Sequence, residues 1–346
     1  MEQPLSNMEQ PVGNTEQPVS NTEPTAHVPR TDLSALNAAI QRIRDEIGKV
    51  IVGQTQMIDL LVAAILADGH VLIEGVPGVA KTLTAKLLAK SIDVQFSRIQ
   101  FTPDLMPSDV LGTSVFNPQN GSFQYKHGPI FSNIVLIDEI NRSPAKTQAA
   151  LFEVMEEKQI TFDGVTYKVP APFMVLATQN PIEQEGTYRL PEAQLDRFIF
   201  KIDVKYPTIQ EEVKILQYTH EGKTTHFNDV VQKVLNATEI ENYRKQISGL
   251  FIEPKVMEYI AQIVHETRNN KALYLGASPR ASVAVLKGSK AFAAMRGRDF
   301  VTPDDVIAIV PSVLRHRIIL TPEKEMEGAT ADEIIEGIIK KIEVPR

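Results

Sequence analysis

The residues Gly75-Val76-Pro77-Gly78-Val79-Ala80-Lys81-Thr82 can hold a polyphosphate, and a later apolar run, Asn133-Ile134-Val135-Leu136-Ile137, ends in the acid pair Asp138-Glu139. A glycine turn lets backbone N–H groups approach an anion. The lysine and threonine that close it supply an ammonium for the β- and γ-phosphates and a hydroxyl for Mg²⁺. The pattern G-x-x-x-x-G-K-[ST] has glycine where this chain has Ala80. A position at the start of a helix is expected to have negative φ, so the Ala80 Cβ is expected to be tolerated and its N–H to stay available.

The elements around this loop must aim it. Val71-Leu72-Ile73-Glu74 before it is β-prone, and after it Leu83, Leu87 and Leu88 share one helical face up to Lys90 without a breaker. Strand, glycine loop and helix together form a phosphate-binding context, because a helix N-terminus offers unpaired N–H groups and a positive dipole end. Gly75 and Gly78 permit the tight turn, while Pro77 stiffens it and removes one donor. Nucleotide contacts are expected at Gly75, Pro77, Gly78, Val79, Ala80, Lys81, Thr82 and Leu83.

The run before Asp138 suits a buried parallel strand, and ligands of open α/β sheets lie at the carboxyl ends of such strands. There Asp138 would hold Mg²⁺ through water, with Thr82 as the second metal-side residue, and Glu139 would orient and deprotonate an attacking water. Alone, the pair could equally cap the helix starting near Ser143-Pro144. A third apolar run, Phe173 to Thr178, leads to Gln179-Asn180-Pro181. Asn180 is a candidate hydrogen-bonding partner for the γ-phosphate and the nucleophilic water, although Asn-Pro by itself reads as a turn.

Composition excludes several classes. The 346 residues are 43% apolar and 23% charged, as in ordinary soluble domains, with a net charge of −7 that argues against nucleic acid as the main partner. There is no cysteine, hence no disulfide or thiolate metal site, and the seven histidines show no ligand spacing. No apolar run approaches the ~18 residues of a membrane helix. The N-terminus lacks a basic-then-apolar leader, so a cytoplasmic location is expected.

Along the chain, residues 1–30 carry Glu-Gln-Pro at positions 2–4, 9–11 and 16–18. Proline in each unit forbids a continuous helix, and the polar composition favours a disordered tail, either a tether or a functionless extension. From Leu33, residues Leu36, Ile40, Ile43 and Ile47 continue one apolar helical face, with Thr31 or Asp32 as its cap. Strand-like and helix-like runs then alternate to about residue 206, the signature of a parallel sheet. Asn-Gly at 120–121 and Asp-Gly at 163–164 predict two hairpins, 114–125 and 159–169. They could grip a partner, pack on neighbouring subunits or cover the sheet.

Residues 207–346 change to helical patterns, with helices expected over Ile209–Gln217, Asp229–Asn236, Ala237–Ile247, Pro254–Thr267, Pro279–Met295, Pro303–Ile309 and Ala331–Ile342. In Gly276-Ala277-Ser278-Pro279-Arg280, the arginine falls in a first helical turn, where a cation opposes the dipole and so suggests an external anion; a plain surface arginine is the alternative.

These motifs together resemble the MoxR family of AAA+ ATPases over roughly residues 33–325. The resemblance rests on the 75–82 loop, Phe101-Thr102-Pro103-Asp104-Leu105-Met106-Pro107-Ser108-Asp109, Asp138-Glu139-Ile140-Asn141-Arg142, the stretch Ala177 to Tyr188, Leu190 to Phe198 and Gly276 to Arg280. Arg189 departs from the family, which usually has Pro there. The resemblance implies an α/β fold: a P-loop AAA+ core over 31–206, its parallel sheet flanked by helices, and a C-terminal all-helical lid over 207–346. It implies ATP or ADP as ligand with Mg²⁺, Asn180 as sensor 1, Arg280 as sensor 2 and Arg197 as an arginine finger on the next subunit's nucleotide. It also implies Val52, Gly53 and Gln54 at the adenine, and the two hairpins as the helix-2 insert and the pre-sensor-1 hairpin. The expected activity is ATP hydrolysis by a ring, a hexamer, that remodels or activates protein complexes, with von Willebrand factor A domain proteins among its clients. A nucleic-acid motor and a nucleotide-gated scaffold are the alternatives. A GTPase is disfavoured, since no Asn-Lys-x-Asp signature occurs.

Overall fold

The computed structural model describes residues 31–76, 78–119, 121–180, 188, 190–222 and 230–345. The 1–30 tail, Pro77, Arg189, most of the stretch after Asn180 and the start of the helix expected at Asp229 lie outside them.

Five parallel strands form the central sheet. They are β1 (His70–Gly75), β2 (Phe96–Gln100), β5 (Ile134–Asp138), β8 (Met174–Gln179) and β9 (Phe198–Val204), in the spatial order β2-β5-β8-β1-β9. The interior strands are continuously apolar over residues 71–73, 134–137 and 174–177 because both sheet faces are covered, so these side chains need not alternate with solvent. They alternate instead between two cores. Val71, Ile73, Ile134, Leu136, Met174 and Leu176 point to one, and Leu72, Val135, Ile137, Val175 and Ala177 to the other.

The first core is closed by α1 (Ser34–Gly48), α2 (Thr55–Leu66), α3 (Lys81–Ser91) and the C-terminal helices. Helix α1 buries Leu36, Ala39, Ile40, Ile43 and Ile47, the face expected from spacing. Asp32 accepts the Ser34 N–H at 2.9 Å, satisfying one orphan donor of the first turn. The second core is closed by α4 (Pro107–Leu111) and α5 (Ala145–Glu157), whose Val110, Leu151, Phe152, Val154 and Met155 are buried.

Both expected hairpins form. Strands β3 (Gly112–Asn117) and β4 (Ser122–His127) pair antiparallel, as do β6 (Gln159–Phe162) and β7 (Val165–Lys168). The two hairpins meet: the Tyr125 ring lies 5.1 Å from Phe162 and 4.7 Å from Tyr167, and His127 lies 5.5 Å from Tyr167. At the far end of the first hairpin, Phe116 and Phe123 face each other across the strands and stay 51% and 70% exposed.

The C-terminal region contains α7 (Ile209–His220), α8 (Ala237–Ser248), α9 (Pro254–Asn269), α10 (Pro279–Met295), α11 (Pro303–Leu314), α12 (Pro322–Met326) and α13 (Ala331–Lys341), following the short α6 (Glu192–Leu195). Two details differ from expectation. Residues 231–236 are not helical: Val234 and Leu235 donate their N–H groups to the Ser91 carbonyl, so this segment is tied to the end of α3 instead of closing on itself. A two-stranded ribbon, β10 (Leu273–Leu275) with β11 (Ile319–Leu320), joins the helices. Strands of two and three residues carry too little alternation to be read from sequence.

Candidate active site

The sheet sorts the candidate residues by level. In the parallel register, Glu74 pairs with Gln179 and Gln100 with Asp138, so the loops after β1, β5 and β8 emerge together at the carboxyl ends of the strands. Thus the 75–82 loop, Asp138, Glu139 and Asn180 gather at one edge. Asn180, half-buried, follows the strand that lies between those of Gly75 and Asp138.

The loop enters α3 as expected, with one correction. Ala80 has φ 58° and ψ 23°, the left-handed region, not the negative φ of a helix start. This is why the pattern has glycine there: an L-residue in this conformation costs roughly 1–2 kcal/mol. The strain is held by the chain around it, for the Ala80 carbonyl accepts from Thr84 N at 2.9 Å and Thr84 Oγ1 at 3.0 Å. Gly75 is required by close approach, since a Cβ there would meet the Val204 carbonyl oxygen at 2.8 Å.

Lys81 Nζ donates to the Gly75 carbonyl at 2.7 Å, folding the ammonium back over the loop. Burial lowers its pKa, and the carboxylates of Asp138, Glu139 and Glu74 lie close enough to oppose that shift. Lysine and acid pair therefore share one electrostatic site.

Asp138 is only 8% exposed. Its carboxylate accepts from Arg98 Nε at 2.6 Å and from Thr178 Oγ1 at 3.1 Å. Glu139 is also left-handed, with φ 57°, and its N–H donates to the same Thr178 hydroxyl at 3.0 Å. Its carboxylate accepts from Gln100 Nε2 at 2.9 Å and faces Arg142 Nε at 3.2 Å. Arg98, Gln100 and Thr178 thus orient the acid pair. Sequence reasoning passed over them because each looks like an ordinary strand residue until β2, β5 and β8 lie side by side.

The residues present suit a magnesium–polyphosphate. Mg²⁺ takes hard oxygen ligands and usually binds through one or two protein groups, completing its shell with water and phosphate. The Thr82 hydroxyl and Asp138 carboxylate are donors of this kind, and among the described residues no cluster of three or more His, Asp or Glu competes for that role. Val52, Gly53 and Gln54 lie near the same edge. Gln54 Nε2 donates to the Lys205 carbonyl at 3.5 Å, just past the Val204 that pairs with Gly75, and Gly53 sits against the Glu211 carboxylate.

Arg197 and Arg280 are elsewhere. Phe198, which follows Arg197, pairs with His70, whereas Gly75 pairs with Val204. At ~3.3 Å per residue, those two levels are about 17 Å apart. Arg197 therefore occupies the amino-terminal edge of the sheet, opposite the phosphate loop. Its Nη2 meets Glu156 Oε2 at 2.7 Å, its guanidinium lies 5.7 Å from the Phe152 ring centre, and its Nε is buried with no acceptor. Arg280, in the first turn of α10, reaches the same Glu156 with Nη2 at 3.4 Å. The expected first-turn arginine is present, but it joins Arg197 and not the phosphate loop of its own chain.

This second edge is anchored by Arg317, 8% exposed, a residue that belongs to no recognisable motif. Its Nε donates to Asp196 Oδ1 at 2.7 Å and its Nη2 to the Phe198 carbonyl at 2.7 Å, while Ser278 Oγ donates to Asp196 Oδ2 at 2.8 Å. Buried ion pairs of this kind hold only when the remaining donors are also satisfied, as they are here by main-chain carbonyls.

Comparisons with known proteins bear on the fold. Residues 70–200 match the model of the ATPase family associated with various cellular activities (AAA), and residues 265–338 match an AAA lid domain. The chain is 44% identical to the uncharacterized Bacillus subtilis protein YeaC over 310 residues, 90% of this chain and 96% of that one. It is 40% identical to the chaperone MoxR1 of Mycobacterium tuberculosis over 323 residues, 91% of this chain and 84% of that one. A crystal structure assigned to an ATPase of Cytophaga hutchinsonii superposes with a TM-score of 0.83 at 44% identity, covering 90% of this chain and 97% of that one.

Proposed function

The chain belongs to the MoxR family of AAA+ ATPases, and from that premise we propose that it hydrolyses ATP, with Mg²⁺, as a cytoplasmic homo-oligomeric ring, a hexamer, that remodels or activates protein complexes. One observation carries the reading. The phosphate loop with its acid pair, and the two arginines, lie at opposite edges of one sheet. No single copy can bring both to one nucleotide, whereas two copies placed edge to edge can.

In this reading ATP lies along the 75–82 loop, with its adenine near Val52, Gly53 and Gln54. Lys81 leaves the Gly75 carbonyl for the β- and γ-phosphates, gaining a stronger, charged acceptor. Mg²⁺, when bound, screens the phosphate charge, and Thr82 and, through water, Asp138 are the residues that would hold it. Glu139 takes the proton of the attacking water, which requires it to turn from Gln100 and Arg142. Asn180 hydrogen-bonds the water and the γ-phosphate. The neighbour's Arg197 and Arg280 then meet the charge that builds on the transferring group, where a guanidinium is most effective.

The client side of the proposal is supported by the coupled hairpins and the exposed Phe116–Phe123 pair, an apolar tip suited to protein more than to nucleic acid, and von Willebrand factor A domain proteins are proposed among the clients. The net charge of −7 points the same way.

The decisive experiment mixes two inactive variants. Glu139→Gln retains its arginines and Arg197→Ala retains its acid pair, so mixed assemblies contain some interfaces with both parts intact. Recovery of ATP turnover on mixing supports the reading; no recovery at any ratio rejects it.

A further inference from the structure

A cavity of about 290 Å³ opens at the amino-terminal edge of the sheet, between α5, the entry to β9 and α10. Five cationic side chains and three carboxylates line it, an excess of two positive charges. His70, at its wall, adds none, because burial pushes its pKa down to about 4.

The carboxylates are not equivalent. Asp196 is committed to Arg317 and Ser278. Asp68 is committed to Lys158 and Arg244. Glu156 alone faces Arg197 and Arg280, one oxygen on each, with Lys287 lining the same cavity two helical turns beyond Arg280. The buried Arg197 Nε still lacks an acceptor. A two-oxygen anion thus bridges the guanidiniums without satisfying them, in a pocket that retains positive charge.

We propose that Glu156 is an internal substitute for the terminal phosphate of a neighbouring copy's ATP: it holds Arg197 and Arg280 together as one unit and is displaced when that phosphate enters. This rests on the reading that Arg197 acts across a subunit interface. A phosphate brings more charge and one oxygen more than a carboxylate, so the exchange favours the triphosphate. A diphosphate, lacking the terminal group, leaves Glu156 in place. The device makes the interface respond to ATP over ADP without any direct contact between Glu156 and nucleotide.

The test measures subunit association by sedimentation, in ATP and in ADP, with the hydrolysis-deficient Glu139→Gln chain as reference. Adding Glu156→Gln, which keeps size and polarity but removes the charge, is expected to tighten association in ATP by about threefold to tenfold, the range for losing one or two half-exposed ion pairs. In ADP the variant is expected to associate as the reference does. Equal tightening in both nucleotides, weakening in ATP, or no change in either overturns the proposal. Thermal melting of the variant controls for folding, and Glu156→Ala must reproduce the sign of the effect. Adding Arg197→Ala to the reference separates the two levels. If it leaves ATP-dependent association intact, the interface reading itself fails, whatever Glu156→Gln does.

Discussion

The two edges of the central sheet are built from different kinds of chain. At the carboxyl edge, each functional group sits on a short contiguous motif at the tip of its own strand, and the backbone is bent to present it: Ala80 and Glu139 both have positive φ. At the amino edge there is no such motif. Glu156 comes from the last turn of α5, Arg197 from the approach to β9, and Arg280 and Arg317 from the lid, and ion pairs rather than backbone geometry hold them. In the proposed function the first edge binds ATP within one copy, and the second meets a nucleotide only on a neighbouring copy.

That contrast can be broken by mutation. The largest effect is expected for Arg197→Ala: ATP binding unchanged and turnover reduced by about 10³-fold or more, read by steady-state hydrolysis beside nucleotide titration. Wild-type turnover would place the amino edge outside the reaction. Glu139→Gln should likewise keep ATP and lose about 10²- to 10⁴-fold in turnover, since it removes the base but no binding group. Lys81→Ala should do the opposite of both, weakening ATP by at least about tenfold in calorimetry. Unchanged affinity there would mean that the loop is not the phosphate site.

Two smaller effects sharpen the comparison. His70 sits buried at the amino edge, accepting from Val175 N and contacting the Met155 carbonyl at 3.0 Å. Its imidazole stays neutral down to about pH 4 in the folded chain, whereas the unfolded chain takes the proton near 6.5. The stability it supports is full above pH 6.5 and is lost as pH falls toward 4, by about 3 kcal/mol in all. His70→Gln should flatten the dependence of melting temperature on pH across that interval; an unchanged slope would assign the acid sensitivity to other groups. At the carboxyl edge, Ala80→Gly should relieve the positive φ and raise stability by up to about 1 kcal/mol in denaturant titration, with ATP affinity kept. A loss of stability would mean that the entropy cost of glycine exceeds the strain.

The same contrast explains what the sequence disclosed. The carboxyl edge was legible because its chemistry is local: Lys81 follows its glycines directly, and Asp138 and Glu139 end one apolar run. The sheet could be read because its strands are continuous apolar segments, and the hairpins because Asn-Gly and Asp-Gly mark their turns. The partners of the acid pair were not legible, since Arg98, Gln100 and Thr178 meet Asp138 and Glu139 only through strand order. Arg197 and Arg280 could be named from family resemblance, but their shared carboxylate could not, because Glu156 is far from both in sequence. Ala80 departs from expectation for a different reason: the start of a helix is expected to have negative φ, and here the loop imposes the left-handed region.

Asp196 has one further consequence. It is gripped from the lid by Arg317 and Ser278, and the next residue along the chain is Arg197. The helical region and the Arg197 backbone are therefore yoked through one carboxylate, so in the proposed function a tilt of the one would re-aim the other.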